Sequence, residues 1–79
     1  MRLKASKNKL TRMLAFRDQT GRIIAFIDED MKYHITQGFA MDSLEDVIDG
    51  VTRNIEFQIG ALSSAEKNFI EKELRDYLK

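Results

Sequence analysis

The chain has 79 residues, with no cysteine, tryptophan or proline, and 13 basic residues balance 13 acidic ones to a formal net charge of zero. This length predicts one domain over residues 1–79, and the lack of cysteine excludes disulfides and the usual cysteine-ligated zinc sites. No apolar run is long enough for a membrane-spanning helix, and the basic N-terminus lacks the apolar stretch of a signal peptide. We therefore expect a cytoplasmic protein.

The charge is unevenly distributed along the chain. Residues 1–17 carry six basic and no acidic side chains, a net charge of +6, whereas the remainder carries seven basic and 13 acidic ones, a net charge of −6. Residues 1–10 show no hydrophobic period, which predicts either a mobile basic arm or an edge strand whose lysines discourage aggregation. Such a segment is typical of a nucleic-acid-binding arm, and also of an arm that lies on its own body or on a neighbour.

The stretch after this basic segment predicts a β-hairpin. Two apolar, β-prone runs flank Asp18-Gln-Thr-Gly21, and a type I turn followed by a bulge favours aspartate first and glycine fourth. The expected register pairs Phe16 with Ile24 and Leu14 with Phe26, with a charge pair at each end. These four residues then form the core face of the hairpin.

A third strand is predicted over residues 31–37. The acidic tripeptide Asp28-Glu-Asp30 precedes it as a tight connection. Apolar and polar side chains then alternate, as in a half-buried strand. The apolar set is Met31, Tyr33 and Ile35, and the polar set is Lys32, His34 and Thr36. With a two-residue loop the apolar set joins the core face of the hairpin, which predicts a three-stranded antiparallel meander.

Two helices are predicted to follow the sheet. Asp42-Ser-Leu-Glu45 and Ser63-Ser-Ala-Glu66 both have the pattern of a capping box, and Gly60 is a natural end for the first helix. Each box precedes an apolar stripe at helical spacing. The stripes are Leu44, Val47, Ile48, Val51 and Ile55 in the first helix, and Phe69, Ile70, Leu74, Tyr77 and Leu78 in the second. The predicted fold is α+β: a β-meander that begins with the hairpin, then two α-helices packed on the sheet, in the order βββαα.

The second face of the predicted hairpin is unusually apolar. An ordinary solvated face of an antiparallel sheet is mostly polar, and we expect the two helices to cover only one face. We therefore predict that the second face is a partner or dimer interface. The predicted interface residues are Met13, Ala15, Ile23, Ala25, Ile27 and His34.

Catalytic and metal chemistry have little support in the sequence. His34 is the only histidine, so no histidine cluster can form. His34 could act as a general base, but no motif places a serine or cysteine nucleophile beside it. The acidic tripeptide at residues 28–30 lacks the ligand spacing of a calcium loop, and there is no glycine-rich phosphate loop. We predict a protein that is not an enzyme and that has no catalytic residues, cofactor or metal site.

Two motifs after the hairpin carry a family resemblance. His34-Ile-Thr-Gln-Gly38 and Ser43-Leu-Glu-Asp-Val-Ile-Asp-Gly-Val51 resemble the segments found in HicB-type antitoxins, which have a hairpin, a third strand ending in Thr-Gln-Gly, and a helix beginning Ser/Thr-Leu-Glu-Glu-Ala. The resemblance covers residues 12–57 and implies that order of elements. The proline-rich segment of the family is absent, and the last helix is not a recognisable DNA-binding module, so the antitoxin function is not carried over.

Two functions from different classes remain. The first is a small regulatory protein of bacterial or phage mobile-element type, a homodimer that binds and modulates or inhibits a host protein. The alternative is a nucleic-acid-binding regulator, antitoxin- or repressor-like, whose basic residues contact phosphates without regard to sequence. The candidate nucleic-acid contacts are Lys4, Lys7, Lys9, Arg12, Arg17 and Lys32.

Overall fold

A computed structural model describes residues 1–36 and 44–79, with the side chains of residues 1–33 and 44–79. The strands are β1 (Lys4–Lys7), β2 (Leu14–Arg17) and β3 (Ile23–Ile27), and the helices are α1 (Glu29–Thr36), α2 (Leu44–Ile59) and α3 (Ser64–Tyr77). The strands form one antiparallel sheet in the order β1-β2-β3. The predicted α+β class, a three-stranded antiparallel sheet followed by helices, is confirmed. Within the described residues no helix is long and apolar enough to cross a membrane.

The basic N-terminal segment is an edge strand, one of the two predicted alternatives. β1 pairs antiparallel with β2, and Ala5 lies opposite Phe16. Leu3, just before the strand, is buried in the core. The segment therefore belongs to the folded body and cannot be removed without opening the core.

A third strand was predicted over residues 31–37, but α1 occupies residues 31–36 of that segment, so the strand prediction was wrong there; residue 37 lies outside the described residues. The carboxylate of Asp28 accepts the backbone N–H of Met31 at 3.0 Å, as a helix N-cap does. Glu29 and Asp30 fill the first turn of α1, where the helix dipole favours acidic side chains. The third strand of the sheet is instead β1, and in the described part of the chain three helices follow the sheet where two were predicted.

The turn between β2 and β3 has the predicted form. Gly21 has a φ of +88°, and its N–H donates to the carbonyl of Asp18 at 3.1 Å. The Asp18 carboxylate accepts the Thr20 hydroxyl at 2.6 Å and the Arg22 N–H at 3.1 Å. The Thr20 hydroxyl in particular, together with the backbone N–H groups of Arg22 and Thr20, lowers the pKa of Asp18.

The register of β2 and β3 differs from the prediction because of a β-bulge. Arg17 faces Ile23, as the predicted register required, but the pairing shifts between Phe16 and Arg17, so that Phe16 faces Ala25. Ile24 is the extra residue on β3. The predicted pairing of Phe16 with Ile24 was therefore wrong.

The bulge moves residues between the two faces of the sheet. Ile24 and Ala25 are both buried, and Ile27, which faces Leu14, is buried as well. Phe26, predicted for the core face, lies on the opposite face with 58% of its surface exposed. The side-chain amide of Gln58 on α2 donates to the carbonyl of Ile24, which ties the bulge to the helix layer.

α2 and α3 cover one face of the sheet and complete the core. Ile55 of α2 and Ile70 and Leu74 of α3 have no exposed surface, and the ring of Phe69 meets that of Phe16 edge to face at 6.4 Å between centroids. The remaining members of the predicted stripes are buried or half-buried against this core. Both predicted helical stripes are confirmed.

α3 begins at the predicted capping box. The backbone N–H of Glu66 donates to the Ser63 hydroxyl at 3.1 Å, and the Ser63 N–H donates to the Glu66 carboxylate at 2.9 Å. Gly60, with a φ of +94°, follows the last residue of α2 as predicted. The predicted capping box at Asp42 lies outside the described residues.

Candidate nucleic-acid interface

The six basic residues predicted as nucleic-acid contacts lie on one connected region, which we call the basic surface. It comprises Lys4, Lys7, Lys9, Arg12, Arg17 and Lys32. Three parts of the fold supply them: β1, the segment from the β1–β2 turn to the end of β2, and α1. The basic surface has two parts, a cleft and an open face of the sheet.

The cleft lies between the turn after β1, the first part of α1 and the end of α3, and has a volume of about 430 Å³. Its walls are formed by Lys7, Asn8, Lys9, Arg12, Glu29, Lys32 and Tyr77. Four cationic side chains thus face one carboxylate. An excess of positive charge in a concave site concentrates anions there.

Tyr77 organises the cleft. Its ring centroid lies 5.7 Å from Lys7 Nζ and 5.4 Å from Lys32 Nζ, so that one aromatic ring holds two ammonium groups. Its hydroxyl donates to the carbonyl of Arg12 at 2.6 Å. Burial, and then the carboxylate of Glu29, raise the pKa of Tyr77 above its ordinary value. The hydroxyl therefore stays a hydrogen-bond donor at neutral pH.

The β1–β2 turn holds Arg12 at the mouth of the cleft. The side-chain oxygen of Asn8 accepts the N–H groups of Leu10 at 2.8 Å and Thr11 at 2.9 Å. Arg12 has a φ of +58°, which is uncommon for a residue with a Cβ. Its guanidinium is exposed and reaches Glu29 only at 3.5 Å. Such an exposed pair is weak, so Arg12 can contact a ligand at little cost.

The open face is the side of the sheet opposite the one on which α2 and α3 pack. Two cross-strand rows lie on it, one of Lys4, Arg17 and Ile23 and one of Ser6, Ala15 and Phe26. The Arg17 guanidinium donates to the Ser6 hydroxyl at 3.2 Å and to the Gly21 carbonyl at 2.7 Å. These bonds restrict the guanidinium to a defined position on the face.

A shallow depression joins the open face to the cleft. Its walls are formed by Ser6, Lys7, Asn8, Met13, Ala15 and Arg17. Lys7 and Asn8 also line the cleft, and Ala15 and Arg17 belong to the open face. The basic surface is therefore continuous from Arg17 to Lys32.

The residues predicted to form an interface on the apolar second face of the hairpin do not all lie on one face of the sheet. Three predicted residues lie on or beside the open face: Met13, Ala15 and Ile23. Ala25 and Ile27 lie in the core instead, because the bulge turns them toward the helices, so their assignment to an exposed interface is corrected. The backbone of His34 lies in α1, and its side chain lies outside the described residues.

Phe26 is the exposed residue that the sequence prediction missed. Both faces of β3 carry apolar side chains, so alternation alone does not say which set points inward. The glycine after the turn suggested a bulge near Gly21, whereas the register shifts at Ile24. No local signal at Ile24 marks that position.

Arg2 is basic but does not belong to the basic surface. Its guanidinium donates to both carboxylate oxygens of Glu66, at 2.9 and 3.0 Å, and to the carbonyls of Ala61 at 2.7 Å and Ile59 at 3.2 Å. Only 6% of Glu66 is exposed. The hydrogen bond from Arg2, with that from the N–H of Ser63, lowers the pKa of Glu66 to about 2. The charge of Arg2 is therefore used within the fold.

Comparison with known proteins adds no family to this description. The chain matches no protein-family model, no curated protein and no solved structure. Among the residues that the structure describes, no three histidine, cysteine, aspartate or glutamate side chains are grouped to hold a metal ion.

Proposed function

We propose that this chain is a small, non-enzymatic regulatory protein of the cytoplasm that binds nucleic acid through its basic surface. The observation that carries the proposal is the gathering of Lys7, Lys9, Arg12 and Lys32 around one cleft. Lysine and arginine side chains bind the phosphate backbone by displacing its condensed counterions, and this term is independent of base sequence.

The distribution of the acidic side chains supports the same ligand. α2 carries four carboxylates and one arginine, and it packs on the face of the sheet that is opposite the open face. A polyanion is therefore repelled from the helical side and attracted to the basic side. A neutral chain with its charges separated in this way presents a positive local potential on its basic side.

The shape of the cleft also favours a phosphate chain. Tyr77 holds the ammonium groups of Lys7 and Lys32 near its ring and fixes the backbone at Arg12. Cations that are already positioned lose less side-chain entropy on binding than free lysines do.

Binding is tested by fluorescence anisotropy with labelled DNA and RNA over a range of salt concentrations. For a single strand, the logarithm of the affinity falls with the logarithm of salt concentration at about −0.7 per phosphate contacted. Replacement of Arg12 by glycine, which accepts a positive φ, removes one cation and makes the slope shallower by up to about 0.7. Arg53→Ala on α2 is the matched control and leaves the slope near 0.15 M unchanged, because Arg53 pairs with Asp49 on α2 and charges there are largely screened from the cleft at that salt concentration.

Absence of binding at about 50 mM salt, where electrostatic binding is strong, contradicts the proposal. Deletion of residues 1–9 is not a valid test, because it removes β1 together with buried Leu3.

A second candidate is a protein partner, either a host protein that is inhibited or a second copy in a homodimer, bound at the open face. Phe26 and Ile23 favour it, since they expose 58% and 38% of their surface on that face. Sedimentation at two concentrations tests the homodimer. A dimer that dissociates in Phe26→Lys supports it, and a monomer at tens of micromolar excludes it.

A further inference from the structure

Resting on the proposed function, we infer that Phe26 is a stacking platform for a base and that the ligand is single-stranded nucleic acid. The open face combines an exposed aromatic ring with positioned cations. An aromatic side chain beside a basic track is the arrangement that binds single strands, because every base has a π-face and every linkage has a phosphate. A duplex, whose bases are already stacked, gains nothing from the ring.

The position of Phe26 leaves room for a base. The other residues of its cross-strand row are small, since Ala15 lies directly opposite and Ser6 lies opposite Ala15. Ala15 is itself only 2% exposed because the surrounding side chains cover it, whereas Phe26 keeps 58% of its surface exposed. The ring of Phe26 therefore stands beside a surface without large side chains in its own row.

The neighbouring row supplies positive charge. Lys4 and Arg17 lie opposite each other on β1 and β2, and diagonal neighbours in a sheet are about 7–8 Å apart. The guanidinium of Arg17 is already held by Ser6 and Gly21. A strand whose base stacks on Phe26 can thus place a phosphate near Arg17.

The same strand can continue into the cleft. The depression lined by Met13 and Lys7 leads from the open face to the four cations around Tyr77. The positive charge along this whole path favours a nucleic acid strand, which carries a phosphate at every linkage, over an apolar protein segment.

The affinity test compares an oligothymidylate of about 15 nucleotides with a duplex of the same length. Phe26→Ala is expected to weaken binding of the single strand by about 5- to 140-fold, which corresponds to about 1–3 kcal/mol per stacked base. Duplex affinity and the salt slope are expected to stay unchanged, because no charge is removed. Phe57→Ala is the matched control, since Phe57 on α2 is 91% exposed and lies outside the basic surface.

A second measurement does not depend on the stability of the alanine variant. The chain contains no tryptophan, so Phe26→Trp introduces a single tryptophan at the platform, whose emission is excited apart from that of the two tyrosines, and keeps an aromatic ring there. Its fluorescence is expected to be quenched by the single strand and to remain unchanged with the duplex. Phe57→Trp is expected to show no quenching with either ligand.

The outcomes separate this inference from the proposed function. If Phe26→Ala binds the single strand as tightly as the parent chain, while Arg12→Gly weakens binding, the stacking role is overturned and the electrostatic function stands. If neither nucleic acid binds, both are overturned. If Phe26→Ala instead converts a dimer into a monomer, the ring is a protein contact and the inference fails.

Discussion

Truncation of Phe16 tests whether the packing of α3 on the sheet holds this chain together. Phe16 has no exposed surface, and its neighbours across the sheet are Ala5 and Ala25. These methyl groups cannot move in to fill a space the size of a benzyl group. The ring of Phe69 on α3 meets Phe16 at 6.4 Å with an interplanar angle of 79°, so the truncation removes contacts in both layers.

The expected loss is large compared with the stability of so short a chain. Replacement of a buried phenylalanine by alanine costs about 3–5 kcal/mol where the cavity cannot collapse. At about 0.05–0.15 kcal/mol per residue, the whole chain has a free energy of unfolding of roughly 4–12 kcal/mol. Phe16→Ala therefore removes a quarter of the stability at least, and in the less stable part of this range it unfolds the protein.

Urea denaturation followed by far-UV circular dichroism measures this loss. Phe16→Leu and Phe69→Leu, singly and together, form a double-mutant cycle whose expected coupling energy is about 0.5–1.5 kcal/mol for an edge-to-face pair. Phe57→Ala is the control and is expected to change stability by less than about 0.5 kcal/mol, because it lies at the surface. Equal losses in Phe16→Ala and Phe57→Ala would refute the assignment of Phe16 to the core.

Three smaller changes test the polar contacts of the fold. Because Arg2 and the N–H of Ser63 lower the pKa of Glu66 from 4.5 to about 2, their contribution to stability is complete above about pH 4.5 and is lost as the pH falls toward 2. In Arg2→Met, urea midpoints should fall less between pH 5 and pH 2.5 than in the parent, and an identical fall argues against the pair. Ser63→Ala removes the cap of α3 and is expected to cost about 1 kcal/mol in the same assay, and an unchanged midpoint would mean that the cap adds nothing. Tyr77→Phe removes the hydroxyl that donates to the carbonyl of Arg12 and is expected to cost about 0.5–1.5 kcal/mol and to speed amide exchange in the β1–β2 turn, so slow exchange would show that the turn holds without it.

The helices that the sequence predicted well are those whose signals are local. The capping box of α3 needs only Ser63 and Glu66, three residues apart, and both reciprocal hydrogen bonds form. Gly60 ends α2 by adopting a positive φ, and the apolar stripe of α2 has its fully buried residue at Ile55. Each of these features is decided within about one turn of helix.

The third strand was wrongly predicted because two local signals conflict in residues 28–36. Alternating apolar residues favour a strand, whereas Asp28 as N-cap and the acidic first turn favour a helix. β1 offered the reverse problem, since Lys-Ala-Ser-Lys has almost no apolar pattern. Its pairing with β2 depends on buried Leu3 just before it and on half-buried Ala5. Two apolar residues are too few to show a strand period in a segment of this length.

The register of the hairpin could not be predicted from the sequence of its two strands. Ile24 is the bulged residue on β3, and its carbonyl accepts a hydrogen bond from Gln58, 34 residues later in the chain. A contact at that distance leaves no trace in the sequence of either strand. This hydrogen bond lies at the bulge, and the bulge turns Phe26 to the exposed face and Ala25 and Ile27 to the core.

The residues of the basic surface were predictable from the sequence, but their arrangement around a cleft was not. Composition identified five of its six cations, because residues 1–17 are rich in lysine and arginine and contain no acid. Composition did not indicate the cleft, because Lys32 reaches it only when α1 is a helix and the end of α3 brings Tyr77 between Lys7 and Lys32. The charges are a property of the sequence, whereas their grouping is a property of the packing.

The separation of charge across the sheet predicts how a protein of zero net charge should respond to salt. The carboxylates on the outer side of α2 lie at least one helix diameter, about 10 Å, from the open face. At physiological ionic strength the screening length is about 8 Å, so a ligand in the cleft is largely shielded from these carboxylates. At about 0.01 M salt the screening length is about 30 Å, and the carboxylates repel the ligand. A plot of log affinity against log salt should therefore be steep near 0.15 M and flatten at the lowest concentrations. Charge removal on α2, as in Glu45→Gln with Asp49→Asn, should restore linearity. A plot that is linear throughout in the parent chain would mean that the acidic side plays no part in orienting the ligand.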